Sequence, residues 1–182
     1  MVTYTVRETR AEDWRAYRDL RLDALRDPVA PIAFFEPLAE AMELPRADWE
    51  NRSGSHGQKA TFIGELPDGS WAGMVVVFTT EEGFAQIVGV YLAPGHRGTG
   101  LAEQLMRAAV EWAAGREVRL HVHENNKRAA RFYERLGFRP TGASRPDPRE
   151  PTLRAFELAL RGPGPGPAQP GPGGSGRHRP AP

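Results

Sequence analysis

The 182-residue chain carries a formal net charge of +1, and 40% of its residues are hydrophobic, which fits one soluble globular domain with a real core. It contains no cysteine, so disulfides, thiolate zinc sites and a cysteine nucleophile are excluded. The N-terminus lacks a basic-then-apolar signal pattern, and no apolar run approaches the roughly 18 residues of a membrane span. We therefore expect a cytoplasmic protein that does not enter a membrane.

The C-terminal segment, residues 162–182, consists almost entirely of Pro, Gly, Ala and Ser with a few basic residues. Such a segment cannot bury enough apolar surface to offset the entropy of ordering, so we expect a disordered tail after a single folded domain, residues 1–161. Because this end is basic, the rest of the chain is slightly acidic, which argues against a nucleic-acid partner. The basic cluster Arg177-His178-Arg179 could touch an acidic partner, but a solvated end is the simpler interpretation.

The N-terminal half begins with a strand and a helix. Weak alternation predicts a strand over Thr3–Glu8. The pattern Thr9-x-x-Glu12 predicts a capping box that opens a helix running to about Arg26. Four prolines then interrupt the chain, at positions 28, 31, 37 and 45. They break the chain into short helical pieces, which are predicted at Pro37–Met42 and Ala47–Arg52.

The sequence of the central part of the chain predicts three antiparallel strands. Strands are predicted over Thr61–Leu66, Trp71–Thr80 and Phe84–Leu92. Turn signals lie between them at Pro67-Asp68-Gly69 and near Glu81-Glu82-Gly83. These strands form a meander, since each pair is joined by a short turn.

The C-terminal half alternates helices and strands. Apolar residues recur at helical spacing from Gly98 to Ala114, and Gly115 provides a helix stop. The remaining elements are a strand over Val118–Val122, a helix over Asn126–Leu136, and final strands at Phe138 and Leu153–Leu160. The fold class is therefore α/β with a mixed sheet.

A glycine-rich turn joins the third strand of the meander to the following helix. The apolar strand Val88–Leu92 runs into Ala93-Pro94-Gly95-His96-Arg97-Gly98-Thr99-Gly100-Leu101-Ala102. Its glycines let backbone N–H groups at the positive end of a helix approach an anion such as a pyrophosphate. The Gly-Lys-Ser/Thr ending of a Walker loop is missing, and the turn does not open the first βαβ unit of a dinucleotide fold.

A second motif follows one helix and one strand later, as Leu120-x-Val122-x-x-x-Asn126-x-x-Ala129-x-x-Phe132-Tyr133-Glu134-Arg135-Leu136-Gly137-Phe138. Together with Arg97-x-x-Gly100-x-Ala102, it resembles the acyl-CoA site of the GNAT N-acetyltransferase superfamily. Two motifs in the right order are more specific than either alone. The resemblance covers about Val75–Phe138 well and the rest loosely.

The resemblance implies a mixed, mostly antiparallel central sheet, flanked by helices and splayed between its central strands to admit acyl-CoA. It implies that the backbone of Val90 and Leu92 pairs with the pantetheine arm like an added strand. The pyrophosphate would be cradled by Arg97, Gly98, Thr99, Gly100, Leu101 and Ala102. Asn126 matches a position that hydrogen-bonds the pantetheine or its neighbourhood. The implied cofactor is acetyl-CoA, as acyl-donor substrate, and no metal is expected.

Tyr133 matches the family's tyrosine beside the cofactor sulfur and is the predicted catalytic residue. A phenol with a pKa near 10 is a feasible acid toward a departing thiolate near 8.5. Packing in the core beside Phe132 is the competing interpretation of Tyr133. For Asn126 the competing interpretation is a helix N-cap.

The acceptor side carries weaker signals. Arg21 falls within the apolar stripe of the first helix, where it either holds a polar group of the substrate or is paired internally. Phe35 and Glu36 are predicted to form part of the acceptor pocket, although core packing explains the phenylalanine equally well. The proton acceptor stays open among eight residues: Glu36, Glu40, Glu81, Glu82, Gln86, His121, His123 and Glu124.

The leading hypothesis is an acetyl-CoA-dependent N-acetyltransferase that moves an acetyl group to a primary amine of a small molecule or peptide by direct attack. The alternative is a non-catalytic acyl-CoA-binding sensor or interaction domain. A nucleotide-binding structural domain is disfavoured by the missing lysine after the glycines. Members of the superfamily often dimerise, so a homodimer is the default expectation, although no exposed apolar stripe identifies an interface.

Overall fold

The computed structural model describes residues 1–162 of the chain. The predicted tail therefore lies outside the described residues, apart from Gly162. The strands are β1 Thr5–Glu8, β2 Lys59–Glu65, β3 Trp71–Thr79, β4 Ala85–Leu92, β5 Val118–His123, β6 Arg139–Pro146 and β7 Arg154–Leu160. The helices are α1 Trp14–Arg26, α2 Ala30–Ala33, α3 Leu38–Met42, α4 Arg46–Ser53, α5 Leu101–Trp112 and α6 Lys127–Arg135. Short 3₁₀ turns precede α1 at Ala11–Asp13 and α5 at Pro94–His96.

The strands form one seven-stranded sheet in the order β1-β2-β3-β4-β5-β7-β6. Every neighbouring pair is antiparallel except β4 and β5, which run parallel. The prediction of a mixed, mostly antiparallel sheet flanked by helices is confirmed, and so is the β2-β3-β4 meander.

The parallel pair at the centre of the sheet is open along most of its length. β4 and β5 pair at only two positions, Ala85 with Val118 and Gln86 with Arg119. Beyond them, β4 carries a bulge at Gly89, whose φ of +63° lies in the left-handed region that favours glycine. The bulge bends β4, and the two strands separate toward their C-terminal ends.

The sheet divides the apolar residues into two cores. One core lies on the side of α5 and α6 and includes Leu105, Leu120, Val122 and Phe138. The other lies under α1 to α4 and is centred on Trp49, which is 1% exposed. The opening between β4 and β5 therefore connects two differently built sides of the molecule.

The start of the first helix differs from the predicted capping box. The Thr9 hydroxyl donates to the carbonyl of Ser53 at 2.5 Å, so it caps nothing. The N-cap of the 3₁₀ turn is Arg10 instead, and Asp13 supplies the acid of the capping box, because its Oδ2 accepts from the backbone N–H of Arg10 at 2.8 Å. The prediction was wrong because Thr9 is 2% exposed and tied to α4, a tertiary contact that a local pattern does not contain.

Two elements carried no usable periodicity. α2 accommodates Pro31 because a proline fits the first turn of a helix. β6 begins one residue after Phe138 and continues to Pro146 through a polar, mostly exposed segment. Its prolines, Pro140 and Pro146, are tolerated because β6 is an edge strand.

Candidate functional site

A cavity of about 690 Å³ opens between β4 and β5. Its size lies within the range of small-molecule sites. Residues of β4 from Gln86 to Leu92 and of β5 from Leu120 to His123 line it. Residues of the glycine loop and of α6, which carry the two sequence motifs, line one end of the cavity. Residues 32–36 line the other side.

The glycine loop presents a row of unused backbone donors. Gly98 and Gly100 have φ values of +77° and +85°, which side-chain-bearing residues rarely adopt. Across the described chain, no hydrogen-bond acceptor meets the N–H groups of Gly98, Thr99, Gly100, Leu101 and Ala102. Because α5 begins at Leu101, its dipole adds partial positive charge at the same place. Free backbone N–H groups beside a helix N-terminus are a geometry that can bind an anion.

Arg97 anchors this loop to the first helix. Its Nη2 donates to Oδ2 of Asp27 at 2.5 Å, and its Nε donates to the carbonyl of Leu92 at 3.1 Å. Burial alone raises the pKa of Asp27, but hydrogen bonds from Val29 N–H and Arg97 hold it below its ordinary value. The Arg97 guanidinium is thus engaged with the protein, and the backbone amides remain the free donors of the loop.

The other predicted cofactor-binding residues fall into two groups. Val90, Leu92, Gly98, Gly100, Ala102 and Asn126 line the cavity. Thr99 and Leu101 do not: Leu101 is fully buried in the core, and the Thr99 hydroxyl donates to the carbonyl of His96 at 2.7 Å. Leu101 can therefore contribute only backbone groups, whereas the exposed hydroxyl of Thr99 is already bonded within the protein.

Tyr133 combines both interpretations that the sequence left open. It is 7% exposed, and its ring packs against Phe132 and Phe138 with centroids 5.4 Å and 5.9 Å away. It also lines the cavity. Burial raises the pKa of Tyr133, so its phenol stays protonated at neutral pH. Tyr133 is therefore a core tyrosine that also borders the cavity with its acidic proton in place.

Asn126 caps α6 and also lines the cavity. Its Oδ1 accepts from the N–H of Ala129 at 3.2 Å, as an N-cap does. This geometry sets the first turn of α6, and therefore the position of the helix that carries Tyr133.

On the other side of the sheet, Arg21 is paired internally. Its Nε and Nη2 donate to Oε2 of Glu36 at 3.0 Å and 2.9 Å, while Arg52 donates to Oε1 of Glu36 at 2.7 Å. Burial alone raises the pKa of Glu36, but the hydrogen bonds and charges of Arg52 and Arg21 outweigh it and hold that pKa low. The charge of Glu36 is thus balanced by two arginines. Arg21, Phe35 and Glu36 all line the cavity, and their role toward a substrate stays a prediction.

The structure separates the eight possible proton acceptors. Three of them besides Glu36 line the cavity, namely Gln86, His121 and His123. The other four do not contribute to its lining: Glu40, Glu81, Glu82 and Glu124. His123 is committed to the protein, because its Nδ1 accepts from Asn125 N–H at 3.1 Å and its Nε2 lies 3.5 Å from Asp147 Oδ2.

His121 is the remaining titratable candidate. Burial, followed by the charge of Arg145, lowers its pKa, while Glu157, 4.0 Å from its Nε2, opposes that shift. The imidazole is therefore neutral at physiological pH and can accept a proton. Strand alternation places it on the face opposite Leu120 and Val122, which belong to the core that contains Tyr133.

Several cationic residues of the cavity were missed in the sequence. Arg128, Arg131 and Arg135 line it from one face of α6, at the spacing i, i+3, i+7. That spacing is a signal that could have revealed them. Arg145 of β6 also lines the cavity, but it lies in a polar edge strand with no pattern to mark it.

Residues 1–162 contain neither a candidate metal-binding group nor a candidate membrane span. No group of three His, Asp or Glu side chains there is arranged to hold a metal ion. No helix within that range is both long and apolar enough to cross a bilayer. The expectation that no metal takes part stays a prediction.

A mixed sheet that splits beside a glycine loop and a tyrosine-bearing helix defines an α/β fold of the acetyltransferase class. Residues 11–138 match the sequence model of the Acetyltransferase (GNAT) family. The chain belongs to this family, which confirms the class of protein that the two motifs indicated.

Individual relatives are similar over parts of the chain. An uncharacterized N-acetyltransferase of Mycobacterium tuberculosis is 37% identical over 79 residues, 41% of this chain and 50% of the relative. A streptothricin acetyltransferase of Streptomyces lavendulae is 33% identical over 96 residues, 49% of this chain and 51% of the relative. The chain thus spans about half the length of the curated relatives it matches. The Arabidopsis thaliana NAA60 structure in complex with acetyl-CoA shares the fold, with a TM-score of 0.66 at 17% identity, over 87% of this chain and 98% of that one.

Proposed function

We propose that the protein is an acetyl-CoA-dependent N-acetyltransferase that acetylates a primary amine of a small molecule or peptide by direct attack. The observation that carries the proposal is the cavity between β4 and β5, which joins the free amides of the glycine loop to a second, differently lined side. Family membership supports the reaction class, and the acetyl-CoA complex of the Arabidopsis relative supports the donor. The streptothricin acetyltransferases among the relatives support a small-molecule acceptor.

The donor would bind along the open edge of β4. The backbone of Val90 and Leu92 faces a gap that β5 does not fill, so an extended pantetheine arm can pair there as an added strand. The pyrophosphate would receive hydrogen bonds from the N–H groups of Gly98 to Ala102. Arg128, Arg131 and Arg135 would add positive charge for the remaining phosphate.

The reaction needs two proton transfers. The amine nitrogen attacks the thioester carbonyl, a tetrahedral intermediate forms, and the carbon–sulfur bond then breaks. The amine proton passes to the neutral imidazole of His121, directly or through one water. The departing CoA thiolate receives the phenolic proton of Tyr133. His121, the proposed base, and Tyr133, the proposed acid, lie on opposite faces of the split sheet. This arrangement suits an amine that enters from one face and acetyl-CoA that enters from the other.

Positioning supplies the rest of the rate enhancement. A cavity that holds amine and thioester in contact converts a bimolecular step into a unimolecular one, which can contribute about 7–11 kcal/mol. General acid help of the kind assigned to Tyr133 is worth about 10²–10⁴-fold.

The test measures binding and turnover separately. Acetyl-CoA binding is followed by calorimetry, with ATP as competitor, and release of free CoA thiol is followed with panels of amines, including streptothricin, amino acids, polyamines and short peptides. Acetyl-CoA binding with acceptor-dependent thiol release supports the enzyme. Binding without turnover on any amine indicates a sensor instead, and absence of acetyl-CoA binding contradicts the proposal altogether.

A further inference from the structure

The wall of the cavity formed by Phe34 and Phe35 carries two guanidinium groups. Arg21 lies over the Phe34 ring, with its Cζ 4.6 Å from the ring centroid, and Arg145 lies over the Phe35 ring at 4.8 Å. Both arginines line the cavity. The arginines come from α1 and β6, distant in sequence, and meet adjacent phenylalanines.

Arg145 has a free hydrogen-bonding edge. Among residues 1–162 its guanidinium has no carboxylate partner, and partial burial is what lowers its pKa. A guanidinium that lies over an aromatic ring keeps its in-plane N–H groups available, in the geometry that a carboxylate takes with two parallel hydrogen bonds. Arg149 also approaches Phe35, at 5.8 Å, but it is occupied by Asp147, 3.0 Å from its Nη2.

Arg21 contributes a second unused donor. Its Nε and Nη2 are taken by Glu36, whereas its Nη1 is buried without a hydrogen-bond partner among the described residues. A buried donor of a charged group that lacks an acceptor is costly, so a ligand oxygen that reached it would be stabilised. Glu36 cannot attract a cation in compensation, because Arg21 and Arg52 occupy both of its oxygens.

Both arginines lie on the acceptor side of the sheet. Arg145 pairs across β7 with Ala155, which pairs in turn with His123, so these side chains share a face with His121. Arg21 and Phe34 belong to the helical layer that covers the sheet on the side of α1 to α4. The arginines of α6 lie on the side proposed for acetyl-CoA. Arg21 and Arg145 are therefore the arginines placed to contact the amine substrate.

We propose, as a refinement that rests on the proposed function, that the acceptor is a small amino acid, whose carboxylate binds the free edge of Arg145 with Nη1 of Arg21 as second donor. In this binding mode the amino group of the amino acid points toward His121. The bound carboxylate fixes the position of that amino group relative to the thioester.

The test compares common amino acids with their C-terminal amides, which keep the amine and remove the negative charge. Initial rates of CoA thiol release are measured at pH 8, where His121 is neutral in every variant. We expect at least one acid to exceed its amide by about 10–100-fold in kcat/KM, the range of a charge-assisted hydrogen bond. Arg145→Gln should raise KM for that acid by a similar factor, abolish the difference from the amide, and leave kcat and acetyl-CoA affinity nearly unchanged.

Arg145→Lys and Arg107→Gln serve as matched controls. Lysine keeps the charge and should recover part of the KM loss, and Arg107 is an exposed arginine of α5 outside the cavity, so its variant should behave as wild type. Amides that react as well as acids, or an acid preference that survives Arg145→Gln, would overturn the inference. Turnover of streptothricin or polyamines with none of amino acids would also overturn it while leaving the N-acetyltransferase proposal intact.

Discussion

Arg97 of the glycine loop donates a 2.5 Å hydrogen bond from Nη2 to Oδ2 of Asp27, seventy residues earlier in the chain. Asp27 is the C-cap residue of α1, and its side chain is only 4% exposed. The ion pair therefore holds the glycine loop against the helix that carries Arg21. This partly buried ion pair connects the two sides of the cavity.

Replacing Asp27 by Asn should weaken both the fold and the loop. The variant leaves Arg97 without its anionic partner, and we expect a loss of about 1–3 kcal/mol in the free energy of unfolding, measured by urea denaturation. Acetyl-CoA affinity should fall as well, because the loop loses its anchor. Asp23→Asn is the control, since Asp23 forms an exposed pair with Arg26 and should cost less than about 0.5 kcal/mol.

The same pair predicts an acid sensitivity. The folded-state pKa of Asp27 lies below its ordinary value, so its contribution is complete above about pH 4 and is lost as pH falls through the lowered pKa. The stability difference between wild type and Asp27→Asn should therefore shrink in acid. A difference that stays constant from pH 7 to pH 2 would contradict the role of the charge.

Gly100→Ala should impair donor binding through backbone strain alone. A Cβ at this position meets no atom within 4 Å, but the φ of +85° costs an alanine about 1–2 kcal/mol. If the loop relaxes to avoid that strain, acetyl-CoA affinity falls by roughly 5–30-fold, measured by calorimetry. Gly95→Ala is a matched control in the same loop, with equal space and no positive φ, and should bind normally.

Tyr133→Phe should slow the reaction without abolishing it. The change removes only the phenolic oxygen, so kcat should fall by about 10²–10⁴-fold while acetyl-CoA affinity is retained. Tyr17→Phe provides the comparison, because Tyr17 is similarly buried, at 5% exposed, but lies outside the cavity lining. Equal activity of the two variants would reduce Tyr133 to a packing residue.

His121 should set the acidic limb of the pH–rate profile. Burial and Arg145 lower its pKa from 6.5, against the opposing effect of Glu157, so kcat should stay high down to below about pH 6.5 and then fall as the imidazole is protonated. His121→Gln should lose this limb and most of its activity.

Arg145→Gln gives an independent check of that assignment. Removing the neighbouring cation raises the pKa of His121, so the acidic limb should move toward higher pH. A limb that stays in place in this variant would mean that another group titrates.

The sequence by itself determined the order of the elements, the meander and the identity of the family. Apolar periodicity marks α5 because that helix is amphipathic, and a continuous apolar run marks β3 because that strand is buried on both faces. The glycines at 98 and 100 mark a left-handed turn that few other residues can adopt. These signals depend only on residues that are close together in the sequence, so they can be recognised without the structure. Tyr133 and Asn126 were found in the same way, through a motif on one helix.

Only the tertiary structure decided which charged groups are free to act. Arg21 is paired with Glu36, 15 residues away, and Arg97 with Asp27, 70 residues away, whereas Arg145 has no carboxylate partner among residues 1–162. The opening between β4 and β5 likewise follows from a bulge and from pairing that stops after two positions. Ion pairing and strand separation are set by distances in space, and a linear pattern of residue types does not contain those distances.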